Sequence, residues 1–275
     1  MDSGTAPAPD LDRDFTFGAC SVWTVSRRVV TLVLSALLAA GLALGSTAVT
    51  VPYVALGPGE IRDTLASVDG RAVVEVTGAP TYPTTGSLYL PTVSVTDDLT
   101  LYDAARMWAS SRFALAPREQ IFPPDKTVQQ VQQDNTKAFT GSQSVAEDAA
   151  RTFLKPASPI KVSVGIKDIG GPSAGLIFAL TVVAKLTPGD LLKGKSVAGT
   201  GEIAPDGAVG GIGGIRMKMI AAKEIGATAF LSPAANCEEA LQTVPDGLRL
   251  VKVSTLTEAV SALTALGEGR DAPSC

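Results

Sequence analysis

The 275-residue chain contains no histidine. This absence excludes a Ser-His-Asp triad, a Cys-His dyad and an HExxH zinc site. Acid–base chemistry near neutral pH must therefore use a carboxylate, a lysine, a cysteine or a cofactor. Cysteine is also scarce, and Cys20, Cys237 and Cys275 are too few and too scattered for a zinc site or a disulfide scaffold. A single Cys237–Cys275 bridge and free thiols both fit the sequence, and the bridge requires a location outside the cytosol.

Charge is also low. Charged residues make up 18% of the chain, whereas soluble domains usually contain about 25%. The formal net charge is −4, from 23 Lys and Arg against 27 Asp and Glu, so there is no electrostatic case for nucleic-acid binding. The mean hydropathy of +0.25 indicates an unusually apolar segment somewhere in the chain.

That segment lies near the N terminus. No charged residue occurs from Val29 to Gly59, and residues 29–51 form a run of 23 residues that spans about 34 Å as a helix. This length suffices to cross a bilayer, so we predict a transmembrane helix at 29–51. Because Arg27 and Arg28 precede the run, the positive-inside rule places residues 1–28 in the cytoplasm and the rest of the chain outside the cell membrane.

Two other interpretations of this segment exist. A cleaved signal peptide has an apolar region of about 7–15 residues followed by small residues, and Ser46-Thr47-Ala48 resembles such a cleavage site. A buried core helix is the second alternative. The length of the run and the acidic residues in the leader, such as Asp10 and Asp14, favour an uncleaved, single-pass anchor.

The rest of the chain predicts an α+β fold with mixed sheets and packed helices. Residues 1–28 form a disordered tail, 52–83 a linker with short strands, 84–268 the main domain, and 269–275 a C-terminal tail. Alternating patterns predict strands at 71–76, 86–90 and 93–95, helices at 99–114 and 144–154, and a long loop at 115–141. Beyond residue 161 the predicted strands are 161–166, 196–203, 229–231 and 248–254, and the predicted helices are 174–186, 215–225, 238–243 and 256–266.

One motif suits a nucleophile. Residues 170–175 read Gly-Gly-Pro-Ser-Ala-Gly and stand between a predicted strand and an apolar helix. A serine at a helix N-terminus lies next to unpaired N–H groups, which can hold the oxyanion of an acyl intermediate. We expect N–H groups near Gly171 and Ser173 to serve this role. The alternative for Ser173 is an ordinary N-capping serine.

With histidine absent, a serine nucleophile needs another base. Lysine can act once burial has lowered its pKa. Lys218 falls within the apolar stripe of the predicted 215–225 helix, whereas Arg216 and Lys223 lie off it. Arg216 is also too basic to act. The alternative for Lys218 is a side chain that extends to solvent from the edge of the apolar face.

Two further glycine-rich segments carry no chemistry in our interpretation. Residues 189–196 fit the Walker A pattern, but a helix precedes them and a strand follows, which reverses the order in a working P-loop. We therefore predict no bound nucleotide. Residues 207–214 contain five glycines but lack the context of a dinucleotide site, and we predict a turn that positions the Lys218 helix.

Taken together, these segments resemble the proteolytic domain of Lon-type Ser-Lys peptidases, most strongly over 161–266. The matching stretches are Gly171-Pro172-Ser173-Ala174-Gly175, Gly199-Thr200-Gly201-Glu202-Ile203 and Ile212-Gly213-Gly214-Ile215-Arg216-Met217-Lys218. The resemblance implies that Ser173 is the nucleophile, Lys218 the general base, and Thr200 a supporting residue that orients the lysine. It also implies polypeptide substrates, no metal or other cofactor, and a homo-oligomer, by family habit a hexamer.

The sequence departs from the family pattern in three ways. It contains no ATPase module, so the resemblance implies an ATP-independent serine endopeptidase. Gly170 stands where ATP-dependent Lon has an acidic residue, and the nearest acid is Asp168. The layout is similar to membrane-anchored Lon-like proteases, but no segment has the size of their PDZ domain. The alternative function is a non-enzymatic, membrane-tethered binding or scaffold protein on the same fold.

Overall fold

The computed structural model describes residues 20–68, 70–166 and 169–275, which fall into two compact units, 1–49 and 50–275. In the first unit, helix α1 (Cys20–Ser46) contains a 21-residue stretch, Ser26–Ser46, with no buried residue. In the described part of the chain it is the one helix long and apolar enough to cross a membrane, and a signal sequence at this position has the same properties. Most of the predicted 1–28 tail lies outside the described residues.

The helix ends five residues before the predicted boundary at Val51. The reason is that the chain already joins the second unit at this point. Thr50 forms an isolated antiparallel bridge with Thr100, and the Val51 N–H donates to the Leu99 carbonyl over 2.9 Å.

The second unit is built from twelve strands and seven helices among its described residues. The strands are β1 (Tyr53–Asp63), β2 (Ser67–Val68), β3 (Arg71–Ala72), β4 (Val74–Thr77), β5 (Ser87–Thr96), β6 (Ala114–Pro117), β7 (Lys161–Val164), β8 (Ser196–Gly199), β9 (Glu202–Ile203), β10 (Val209–Gly210), β11 (Ala229–Pro233) and β12 (Arg249–Val253). The helices are α2 (Leu101–Trp108), α3 (Arg118–Ile121), α4 (Val128–Leu154), α5 (Gly175–Leu186), α6 (Ile215–Glu224), α7 (Cys237–Leu241) and α8 (Leu256–Gly267), with 3₁₀ turns at Pro172–Ala174 and Ala234–Asn236.

A six-stranded mixed sheet organises this unit in the order β12-β11-β8-β5-β1-β6. The strands β5, β8, β11 and β12 are parallel to one another, whereas β1 runs antiparallel to β5 and β6. Smaller two-stranded sheets are formed by β2 with β3, β4 with β7, and β9 with β10. The expected mixed sheets with packed helices are thus confirmed.

Helices cover both faces of the main sheet. Alternate residues of a strand point to opposite faces, and β11 shows this clearly: Leu231 packs in the cluster that contains α4, α5 and α8, whereas Phe230 packs with Ile215 of α6. Helix α5 is buried along almost its whole length, which explains why its sequence is apolar on every side. Helix α5, which follows the candidate nucleophile, and helix α6, which carries the candidate base, therefore lie on opposite faces of the sheet.

The predicted loop at 115–141 is wrong. This stretch contains β6, α3 and the first half of α4. Helix α4 begins at a capping box in which the Thr127 side chain accepts from the Gln130 N–H and the Gln130 side chain accepts from the Thr127 N–H. Its first turns face solvent, so they lack the apolar spacing that marks the later buried positions such as Phe139 and Ala146.

Four other predicted elements have different bounds. The two strands at 86–90 and 93–95 are one strand, β5, paired with β1. The helix at 99–114 is the shorter α2, since Ala114 already belongs to β6. The strand at 196–203 is interrupted at Thr200 and Gly201, and this interruption forms part of the site described below.

Candidate active site

Ser173 lies in a 3₁₀ turn that leads directly into α5. The turn is preceded by Gly171, whose φ of +86° is accessible to glycine but strained for other residues. The Gly171 N–H donates to the Asn135 carbonyl of α4 over 2.9 Å, and a Cβ on Gly170 would lie 2.9 Å from the Asn135 side chain. Helix α4 therefore fixes the backbone from which Ser173 projects.

Lys218 reaches the same point from α6. The helix begins after Gly214, which has φ +70° and packs so closely on β5 that an added Cβ would lie 2.8 Å from the Val93 side chain. Lys218 is 4% exposed. Its Nζ lies 2.7 Å from Ser173 Oγ and 3.0 Å from Thr200 Oγ1.

Thr200 connects the serine and the lysine. It follows β8, where its N–H donates to the Leu231 carbonyl of β11, and it is fully buried. The Thr200 hydroxyl donates to the Ser173 carbonyl over 3.1 Å and accepts from Lys218. The Gly201 N–H donates to that same carbonyl over 2.9 Å, so the break in the strand holds the serine backbone with two hydrogen bonds.

The electrostatics suit a general base. Burial lowers the pKa of Lys218 to about 8, and the negative charge of Glu202 acts in the opposite direction. The neutral amine is therefore well populated at mildly alkaline pH. In that form its lone pair can accept the proton of the Ser173 hydroxyl.

A cleft of about 280 Å³ opens beside this pair. Both Ser173 and Lys218 line it, together with the β5 residues Leu90, Pro91, Thr92 and Val93, the segment Ile169 and Gly170, and Gly213 and Glu60. The nucleophile is thus accessible to a substrate, whereas the amine behind it is shielded from water.

The structure brings together all four predicted site residues. Ser173, Lys218 and Thr200 are in contact, and Gly171 shapes the turn. The Gly171 N–H, which we expected near the oxyanion, is already bonded to Asn135, so the contribution of Gly171 is its backbone conformation. Asp168, the acid nearest to the motif, lies outside the described residues.

Sequence analysis missed two supporting residues, Asn135, described above, and Asn236. Asn236, 7% exposed, bonds both backbone groups of Ile212: its side chain accepts from the Ile212 N–H and donates to the Ile212 carbonyl, each over 2.8 Å. Ile212 stands two residues before Gly214, the residue after which α6 begins. The only cue in the sequence was a polar residue between two short elements. The hydrogen-bond partner of Asn236, Ile212, lies 24 residues away in the chain.

The next residue, Cys237, forms a disulfide with Cys275, with a Cα–Cα distance of 5.3 Å. Cys275 packs against the cluster that contains Ile215 and Met219 of α6. The C-terminal end of the chain is therefore tied to the same region that Asn236 supports.

The remaining motifs show no comparable arrangement. The Walker-like segment 189–196 follows α5 and ends at the start of β8, which is the reversed order that the sequence indicated. Among the described residues there is no group of three or more Cys, Asp or Glu side chains arranged to hold a metal ion.

Comparison with known families agrees with this geometry. The family model of the Lon protease (S16) C-terminal proteolytic domain matches residues 135–265. This segment is similar to the Lon proteolytic domain. The matched Lon-type segment contains Ser173, Thr200, Lys218 and Asn236, and it begins at Asn135, the residue that holds the serine turn.

Individual Lon proteases match stretches of 79 to 109 residues of the chain. The Lon protease of Lachnoclostridium phytofermentans is 36% identical over 109 residues, which is 38% of this chain and 13% of that protein. Lon protease of Clostridioides difficile is 36% identical over 94 residues (33% and 11%), and Lon protease 2 of Herpetosiphon aurantiacus is 42% identical over 79 residues (29% and 9%). The similarity thus spans about an eighth or less of the relatives' length.

Proposed function

We propose that the protein is a membrane-anchored, ATP-independent serine endopeptidase that cleaves polypeptides with a Ser173–Lys218 dyad. The observation that carries this proposal is the 2.7 Å contact between a buried lysine amine and a serine hydroxyl on the wall of an open cleft. Among the described residues, no acidic side chain is in hydrogen-bond contact with the Lys218 amine. A buried amine of this kind is costly to maintain, and its most direct use is as a base of lowered pKa.

The reaction follows from the positions of the groups. Neutral Lys218 takes the hydroxyl proton as Ser173 Oγ attacks the peptide carbonyl carbon, which gives a tetrahedral oxyanion. We expect the Ser173 N–H, near the start of the α5 helical segment, to donate to that oxyanion. Lys218 then protonates the leaving amine, and an ester to Ser173 remains. A water molecule deprotonated by Lys218 hydrolyses the ester and restores the enzyme.

The proposed location is the outer side of the cell membrane. Helix α1 supplies an apolar span, and Arg27 and Arg28 at its start favour a cytoplasmic N terminus. The Cys237–Cys275 bridge supports a location outside the reducing cytosol. A homo-oligomer, in the form of a hexamer, is part of the proposal on the basis of the family alone.

The activity is tested with the full chain in detergent and a fluorescent, unfolded polypeptide substrate, without ATP. We expect cleavage by the wild type and loss of cleavage in S173A, K218M and K218R, since arginine keeps its proton. Matched controls are S163A, at an exposed serine on β7, and K223M, at an exposed lysine on the same helix as Lys218. Full activity of S173A or K218M would show that the mechanism is wrong.

The anchor is tested separately. Intact mass of the membrane-extracted protein distinguishes an uncleaved chain from one cut after the apolar run. We expect the full mass and retention in the membrane pellet after alkaline carbonate washing. A shortened, soluble protein would show that the apolar run is a cleaved signal peptide and not an anchor. This result would leave the proposed chemistry unaffected.

A further inference from the structure

Helix α2 exposes an apolar face. Leu101, Ala105 and Trp108 follow the i, i+4, i+7 spacing of one helix face, and Tyr102 lies next to them. Trp108 is 79% exposed, Tyr102 51% and Leu101 47%. We call these four residues the outer face of α2. An isolated exposed leucine needs no explanation, but a tryptophan, a tyrosine and a leucine on one short helix do.

The opposite side of α2 already has its core contacts. Ala104 is buried in a small cluster with Ala55 and Leu99, and Met107 packs against that cluster. A capping box between Thr100 and Asp103 fixes the start of the helix. The helix is therefore held in place by its inner side and its N-terminal cap.

Exposed apolar side chains concentrate at this end of the unit. Among described residues from 50 onward, nine large apolar side chains are exposed, and five of them lie on α2 or on the adjoining ends of β1 and β5. These five are Tyr53, Val95, Leu101, Tyr102 and Trp108. The ends of the two strands are neighbours, since Ala55 pairs with Thr96, and α2 starts directly after the bridge between Thr50 and Thr100.

The length of the connection limits how far Thr50 can lie from the end of the proposed anchor. Only residues 47–49 separate the end of α1 from Thr50, and four residue steps extend at most about 14 Å. Thr100, the N-cap of α2, is the bridge partner of Thr50. If α1 spans a bilayer, the start of α2 therefore lies within reach of that bilayer's surface.

We propose that the outer face of α2, together with Tyr53, docks onto the lipid bilayer on the side to which the protease domain is exported. Tryptophan and tyrosine are favoured at the membrane interface because they combine an apolar ring with a polar group. The five side chains carry no charge, which suits insertion among lipid headgroups and upper acyl chains. Docking would fix the orientation of the protease domain relative to the membrane. This inference rests on the anchor in the proposed function.

The test uses the full chain in phosphatidylcholine vesicles and its two tryptophans, Trp23 and Trp108. W23F leaves Trp108 as the fluorophore, and W108F leaves Trp23, three residues before the apolar span. A third variant, W23F/W108F/L241W, is the aqueous control, because exposed Leu241 lies on α7, which packs on β11 and β12 at the other edge of the sheet from β6. Each variant is measured with and without lipids brominated on the acyl chains, and with aqueous iodide.

We expect the brominated lipid to remove most of the Trp108 emission, and iodide to have little effect on it. The L241W fluorophore should show the reverse. Quenching of Trp23 by the lipid with no quenching of Trp108 would overturn the docking proposal and leave the anchor in place. Loss of lipid quenching at both positions would overturn docking and anchor together. Protection of Trp108 from iodide without lipid quenching would show that a second copy or another protein covers the face, and would also overturn the proposal.

Discussion

Lys218 Nζ and Ser173 Oγ lie 2.7 Å apart although 45 residues separate them in the chain. Three segments establish this contact: the Gly171 turn against α4, the break in the sheet after β8, and the glycine-rich turn before α6. Each segment fixes the position of backbone atoms rather than of side chains. The two hydrogen bonds of the Lys218 side chain, to Ser173 and to Thr200, therefore form between groups that are already in place. Catalytic geometry preorganised in this way needs little rearrangement during the reaction.

Thr200 provides the first prediction. T200V keeps the shape of the side chain but removes the hydroxyl that accepts from Lys218 and donates to the Ser173 carbonyl. We expect kcat to fall by about tenfold or more, since one hydrogen bond of ~1.4 kcal/mol corresponds to a factor of ten in rate. T200S retains the hydroxyl and should keep most of the activity. Equal activity in T200V and the wild type would show that the hydroxyl does not orient the lysine.

The residues of the proposed dyad could be singled out from the sequence because their signals are local. A serine in a Gly-Pro turn before an apolar helix and a lysine within an apolar stripe are both patterns of a few residues. The contacts that hold these two residues in position are not local. Asn135 and Asn236 act on backbone groups of residues far away in the chain, and such contacts have no sequence period.

The wrong loop at 115–141 has a similar cause. The first turns of α4 contain glutamines and other polar residues that face solvent, so apolar periodicity gives no helix signal there. The capping box at Thr127 and Gln130 was the available local cue. Sequence analysis therefore recovered the elements that are buried on a regular face, and it missed β6, α3 and the polar first half of α4.

The second prediction concerns pH. Because Lys218 must be deprotonated to act, activity should rise with pH through an apparent pKa of about 8. Glu202 raises the pKa of Lys218, so E202Q should shift this rise to lower pH. The control is E239Q, at an exposed glutamate on α7, which should leave the profile unchanged. The measurement is kcat/KM from pH 6 to 10, and an E202Q profile displaced to higher pH would contradict the assignment of the base.

The third prediction tests Asn236. N236A leaves the N–H and the carbonyl of Ile212 without their side-chain partner, and unsatisfied buried groups cost about 1–3 kcal/mol each. We expect a lower thermal midpoint. We also expect lower kcat/KM, mainly through KM, because Gly213 in the adjoining loop lines the cleft. N236D keeps the acceptor for the Ile212 N–H. Its thermal midpoint and its kcat/KM should therefore lie between those of N236A and those of the wild type.

The control for this prediction is Q242A, at an exposed residue just after α7. It should match the wild type in both stability and kinetics. An N236A variant that loses stability but keeps wild-type KM and kcat would confine Asn236 to folding and separate it from the site.

The fourth prediction concerns the disulfide. Cys237 and Cys275 are 38 residues apart, and closing a loop of this length stabilises a folded protein by up to about 4 kcal/mol in the chain-entropy treatment. C275S should therefore lower the thermal midpoint. It should also make the enzyme lose activity at a lower temperature, because the bridge ends next to Asn236 and against the cluster that contains Ile215 and Met219 of α6. A dithiol reductant should bring the wild type to the same midpoint and leave C275S unchanged. Thiol counting in denaturant should find one free thiol in the unreduced wild type, from Cys20, and three free thiols would show that the bridge does not form.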